Sequence, residues 1–159
     1  MSRFDDSLHF ILDFEGDYSD DAHDRGGKTR FGITELVARA HGYGGDMREL
    51  PLDVARDIYR QSYWEACKCD LLPWPLSCLV FDAAVNQGVS AASRMMQRAL
   101  GVTDDGVIGP ATLKAANNAG AEIAALFLAE RAIRYAKNEQ FSTYGRGWLK
   151  RTYSLALGV

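Results

Sequence analysis

Glu15 is the residue whose type and position first suggest chemistry. Leu8, Ile11 and Leu12 recur at helical spacing, and Glu15 falls on the next i+3 step, so its carboxyl is expected on the core-facing side of the first helix. Burial there disfavours the charged form, and the negative end of the helix dipole disfavours it further. Both effects favour an acid still protonated near neutral pH, which is what protonating a glycosidic oxygen requires. The competing placement is a half-exposed Glu at a helix end, since single perturbed carboxylates are often structural. Asp13, on the opposite face, is expected to be solvated.

Other reactive side chains offer less. His23 stands among aspartates with no second histidine or cysteine close by, so an exposed loop residue is expected and no metal. Cys67, Cys69 and Cys78 lack a fourth ligand at zinc-like spacing and read as reduced, mostly buried thiols. No Gly-rich phosphate loop and no nucleophile elbow occurs, and no cofactor is expected.

The elements that must hold these residues are mainly helical. After the first stripe, the run from Asp17 to Lys28 carries too many Asp and Gly for a helix, and a short β-hairpin within residues 17–32 fits it. Thr34 can cap a short helix running toward His41, and Pro51 suits the start of one that buries Val54, Ala55, Ile58 and Tyr59. Leu76 to Gln87 is apolar nearly all round and reads as a buried central helix closed by Gly88. Ser90 is expected to cap the next helix and Gly101 to end it. Gly109-Pro110 starts another, Ala121 to Asn138 is long and apolar, and a last helix is expected from about Gly147. The fold class is therefore mainly α, with about eight helices.

Charge is unevenly spread over the 159 residues, whose net charge is −3. The first 24 residues carry Asp5, Asp6, Asp13, Glu15, Asp17, Asp20, Asp21 and Asp24 against Arg3 alone. Residues 131–159 carry Arg131, Arg134, Lys137, Arg146, Lys150 and Arg151 against Glu139 alone. Docking of the acidic segment on the basic one is the simplest expectation. The overall balance argues against a nucleic-acid partner, and no apolar run approaches the roughly 20 residues that span a bilayer. A monomer made in the cytoplasm is expected.

The stretch Glu15-Gly-Asp-Tyr-Ser-Asp-Asp-Ala-His-Asp-Arg-Gly-Gly-Lys-Thr-Arg-Phe-Gly-Ile-Thr34 resembles the N-terminal signature of glycoside hydrolase family 108, the phage-type muramidases. That signature runs Glu-Gly-Gly-Tyr, Asn-Asp-Pro, Asp-x-Gly-Gly-x-Thr, then Phe/Tyr-Gly-Ile-Thr. The resemblance continues in order through Phe81-Asp-Ala-Ala-Val-Asn-Gln-Gly88, Leu100-Gly-Val-x-x-Asp-Gly-Val-Ile-Gly-Pro110 and Gly145-Arg-Gly-Trp148. It implies a lysozyme-like helical endolysin that hydrolyses the β-1,4 bond between N-acetylmuramic acid and N-acetylglucosamine of peptidoglycan, with Glu15 as catalytic acid. Three departures stand out: Asp17 for the second Gly, Asp20-Asp21-Ala22 for Asn-Asp-Pro, and Arg30 for the usual Asn. Asp17 and Arg30 either pair or change how the sugar is gripped.

Hydrolysis needs a second group that stabilises the cation, attacks it or activates water. The order Glu15, Asp24, Thr29 is similar to the Glu…Asp…Thr arrangement of the phage lysozymes, which implies that Asp24 positions water and Thr29 orients it. Asp20 and Asp21 are rivals, and Asp24 equally suits a turn around Gly26-Gly27. Asp82 and Asn86 stand at i, i+4 in the central helix. The pair either anchors the loop carrying Asp24 or lines the substrate cleft, with Asn86 the better candidate for touching a sugar or peptide. Tyr18, Tyr63 and Trp64 offer flat faces suited to pyranose rings, although core packing competes for Tyr63 and Trp64.

Asp104-Asp-Gly-Val-Ile-Gly-Pro-Ala-Thr112 is similar to a turn of peptidoglycan-binding helical modules. The expected organisation is a lysozyme-like catalytic region at 1–89 and a peptidoglycan-binding-like helical region at 90–159 packed on it as one compact unit. The basic tail can meet carboxylates of the peptide stem. Without an export signal, the enzyme is expected to be made in the host bacterial cytoplasm and to reach the wall through a holin or another route, with no stable membrane association. A lytic transglycosylase and a non-catalytic wall-binding module are the alternatives.

Overall fold

The computed structural model describes residues 2–14, 18–19 and 28–159, with Tyr18 and Ser19 described through their backbone. The chain forms two compact units, Met1–Ser62 and Tyr63–Val159.

In the first unit the opening stripe becomes helix α1, Arg3–Phe14, which buries Phe4, Ser7, Leu8 and Ile11. Ile11 is fully buried, a contribution of about 1.5–3 kcal/mol. Asp13 is exposed beside His9, as its position on the opposite face predicts. The N-terminal turn is fixed by Asp5, which accepts from the Ser2 hydroxyl at 2.6 Å and from Arg56 at 2.7 and 3.0 Å. These bonds hold the Asp5 carboxyl down at about 2. Arg56 and Arg60 also lie over the Phe4 ring, at 5.3 and 5.1 Å from its centre.

Three two-residue strands follow: β1 (Tyr18–Ser19), β2 (Thr29–Arg30) and β3 (Ile33–Thr34), antiparallel in that order. The first two form the expected hairpin, and β3 extends it through a two-residue turn. Thr34 then caps α2 (Glu35–Ala40) by accepting from the Val37 amide. Pro51 immediately precedes α3 (Leu52–Tyr59), which buries Ala55, Ile58 and Tyr59. Arg60–Glu65 continues as a π-helical turn, which the regular spacing of the sequence did not announce.

The second unit is built around α4, Leu76–Gln87, in which Leu76 through Ala84 are all buried. It packs against α5 (Val89–Ala99) and α7 (Ile123–Ala136), while α6 (Pro110–Asn118) starts at the expected Pro110. Trp64 is fully buried and meets the Phe81 ring edge-on at 5.3 Å, so it is core and not a sugar platform. Cys67, Cys69 and Cys78 are buried free thiols, and burial pushes the Cys69 thiol well up.

Two helix starts differ from expectation. Ser90 does not cap α5; Gly88, at φ 90°, closes α4 and precedes Val89 directly. The last helix, α8, runs Phe141–Gly158 and so begins before Gly147. Gly145 lies inside it, where a Cβ would meet the Phe141 ring at 2.6 Å. Eight α-helices are present among the described residues, and none of them is long and apolar enough to cross a membrane.

Candidate functional site

Glu15, Asp24 and their neighbours Asp17, Asp20, Asp21, His23, Gly26 and Gly27 lie outside the described residues, as does the Tyr18 side chain. What is described is the framework on either side of them. Ser19 of β1 pairs with Thr29 of β2, and Tyr18 with Arg30. In sequence, Glu15 follows α1 directly and precedes β1, and Asp24 falls between the paired ends Ser19 and Thr29. Thr29 is half-exposed and pairs on its other side with Thr34. Of the three residues expected to act together, Thr29 is the one that lies in the described part of this sheet.

That sheet is held by a strained turn. Two-residue hairpin loops of type I′ need φ > 0 at both central residues, a requirement Asn-Gly meets best. Here the loop is Phe31-Gly32, with φ of 52° and 74°. A non-glycine residue in this region costs roughly 1–2 kcal/mol. Two contacts offset the cost: the Tyr59 hydroxyl donates to the Phe31 carbonyl at 2.7 Å, and the Arg30 guanidinium lies 4.8 Å from the centre of the Phe31 ring. Arg30, the departure from the usual Asn, therefore supports the turn. Tyr59→Phe removes the hydroxyl only and is expected to destabilise the first unit by about 1 kcal/mol. Faster exchange of the Glu35 amide, which donates to the Lys28 carbonyl at 2.8 Å across the hairpin, would register its loosening.

In the second unit, Tyr63 is half-buried within the π-helical turn. Asn86 is exposed near the end of α4, and its side-chain oxygen accepts from the Tyr135 hydroxyl. Tyr135 also accepts from Arg131 at 3.2 Å and stacks on Trp148 at 5.1 Å, with 22° between the rings. Around this stack opens a groove of about 710 Å³ lined by residues that include Asn86, Gln87, Glu130, Arg134, Lys137 and Trp148. Asn86 is accordingly fixed at a groove, where it can touch a ligand, while Trp148 is a lining residue that the sequence reading passed over.

Asp82 has a different role from either one expected of it. Its side chain is buried between two arginines, with Oδ2 2.7 Å from Arg131 and Oδ1 2.8 Å from Arg151. Arg131 is itself fully buried. Two of the basic residues near the C-terminus thus neutralise Asp82 in α4, and acidic Asp5 pairs with Arg56 in α3. The partners of Asp5, Arg131 and Arg151 thus lie within their own units, while five of the eight carboxylates of the first 24 residues lie outside the described residues.

The Asp104–Thr112 turn is pinned by Gln97, a side chain no motif pointed to. Its Nε2 donates to Asp105 at 2.8 Å and to the Val107 carbonyl at 3.0 Å, and its Oε1 accepts from the Gly106 amide at 2.8 Å. Gly106 supplies the φ of 83° that the turn requires. Gln97→Leu removes all three bonds, leaving Asp105 the Val107 amide at 2.8 Å, and is expected to cost about 2–3 kcal/mol, measured by urea unfolding. Among the described residues no group of His, Cys, Asp and Glu is arranged to hold a metal ion.

Comparison with known proteins adds to this geometry. Residues 8–88 match the family model described as Glycosyl hydrolase 108. Residues 91–153 match a second one, described as Predicted Peptidoglycan domain. The chain is similar to the solved structure of Brucella abortus SagA, with 32% sequence identity, a TM-score of 0.85, and coverage of 96% of this chain and 90% of that one. A search of curated proteins finds no match.

Proposed function

Since the chain belongs to the glycosyl hydrolase 108 family, we propose that it hydrolyses the β-1,4 bond between N-acetylmuramic acid and N-acetylglucosamine, with Glu15 as general acid. Membership of that family and the second matched segment make it a glycoside hydrolase acting on peptidoglycan; the bond and the acid are our reading. The observation that carries it is the buried stripe of α1. Phe4, Leu8 and Ile11 lie on the core side, and α1 ends at Phe14, the residue before Glu15. A carboxyl that carried this stripe one step further, four residues past Ile11, would lose solvation and keep its proton.

In this reading Glu15 donates that proton to the glycosidic oxygen as the bond to the sugar breaks. Positive charge develops on the anomeric carbon, and water adds there after losing a proton to Asp24. Thr29, on β2, orients that water by hydrogen bond. Tyr18, Tyr63 and Asn86 contact the substrate. We read the enzyme as an endolysin of phage type because its stretch from Glu15 to Thr34 resembles theirs.

Product analysis of digested sacculi by mass spectrometry tests the reaction. Fragments ending in reducing N-acetylmuramic acid are expected. Termini of 1,6-anhydromuramic acid would instead mean intramolecular attack without water, the transglycosylase reaction. No released saccharide of either kind would leave only a wall-binding protein.

A further inference from the structure

We propose that the groove beside Trp148 binds the acidic peptide stem of peptidoglycan, through its carboxylates and amides. The inference rests on peptidoglycan being the substrate, and on neither Glu15 nor the bond that is cut. Its first ground is charge. Arg98, at one edge, is occupied by Glu130 at 2.7 Å and by Asp104 at 3.0 Å, so it offers little to a ligand and Glu130 offers little repulsion. Arg134 and Lys137 are exposed on the same groove and pair with no carboxylate among the described residues. Two uncompensated positive charges therefore face one concave surface.

The second ground is the rest of the lining. Asn86 and Asn138 supply side-chain amides, which match the donors and acceptors of a peptide backbone. Trp148, stacked on the buried Tyr135, presents a rigid apolar wall for an alanine-like side chain. A bare sugar chain would use the ring but leave both cations idle. A wall phosphate polymer would use the cations but not the amides. An acidic peptide uses all three. The groove lies across the end of α4 and the segment matched as a peptidoglycan domain, so holding a stem there would anchor the polymer during glycan cleavage.

Titration of the intact protein with a synthetic stem tetrapeptide bearing free carboxylates tests this, at low and at physiological salt. Binding is expected, weakening as the screening length falls from about 30 Å at 0.01 M to about 8 Å at 0.15 M. The double variant Arg134→Glu/Lys137→Glu, both positions exposed, should bind at least tenfold more weakly with an unchanged thermal midpoint. Its KM on intact sacculi should rise several-fold, while turnover on glycan strands stripped of peptide stays at the wild-type value. Undiminished peptide binding by the variant would overturn the proposal. So would equal affinity for a fully amidated peptide, or equally effective competition by inorganic phosphate or a chitooligosaccharide. Inactivity of wild type on stripped glycan would count against the catalytic reading alone, since the peptide titration decides this one separately.

Discussion

Glu15→Gln is expected to lower the rate of sacculus clearance by about 10²- to 10⁴-fold, the usual contribution of a positioned general acid. The amide keeps the size and hydrogen-bonding capacity of the side chain but has no proton to give the leaving oxygen. Unfolding by urea should show stability at or above the wild-type value, because a neutral group replaces one whose ionisation burial opposes. This pairing of lost activity with retained stability separates a catalytic acid from a structural one. Clearance at the wild-type rate would remove Glu15 from the mechanism. Asp24→Asn should cost less, since water can still be held by Thr29; a loss equal to that of Glu15→Gln would make Asp24 an indispensable partner.

Asp82→Ala is expected to have the largest effect on stability, about 3–5 kcal/mol, the range for removing one partner of a buried ion pair. Asp82 lies between fully buried Arg131 and largely buried Arg151, so its loss leaves two cations without their counter-charge in the interior. Arg131 also bonds Tyr135, which bonds Asn86, so the lining of the groove should loosen with it. Urea unfolding of the intact chain gives the cost. The half-exposed Asp5–Arg56 pair serves as the contrast, because solvent reaches and screens it. If Asp82→Ala proved as mild as Asp5→Ala, the buried pairing would be without energetic weight.

The parts of this molecule legible in the sequence are those that repeat a spacing. The stripe of α1 and the all-apolar run of α4 span three turns each, enough for periodicity to declare both the element and its buried side. The strands span two residues each, too short for any alternation, and the turn joining β2 to β3 uses Phe31 where the usual signal is Asn. Gly147 read as the start of the last helix because glycine lowers helix propensity, yet α8 begins at Phe141, whose ring leaves no room for a Cβ at Gly145. Asp82 was visible as a polar residue in an apolar helix, but Arg151 is 69 residues away and no local pattern links them. Gln97 had a comparable signal, a polar residue beside Met95 and Met96 on a buried face. For Asp24 and Thr29 the motif carried the whole assignment, whereas Glu15 also follows from the stripe of α1, and the structure adds the pairing of Ser19 with Thr29.

The pairing of Asp82 with Arg131 and Arg151 bears on how such a protein could be taken apart and recombined. The two matched segments meet between residues 88 and 91, an inviting junction for grafting a foreign wall-targeting module. A cut there would leave the carboxylate on one piece and both guanidiniums on the other, and would sever α4 from the helices that bury it. Each fragment would expose an apolar face and aggregate. A splice at Ser62 and Tyr63, where the compact units divide, leaves Asp82, Arg131 and Arg151 together on one piece and keeps that electrostatic clasp intact.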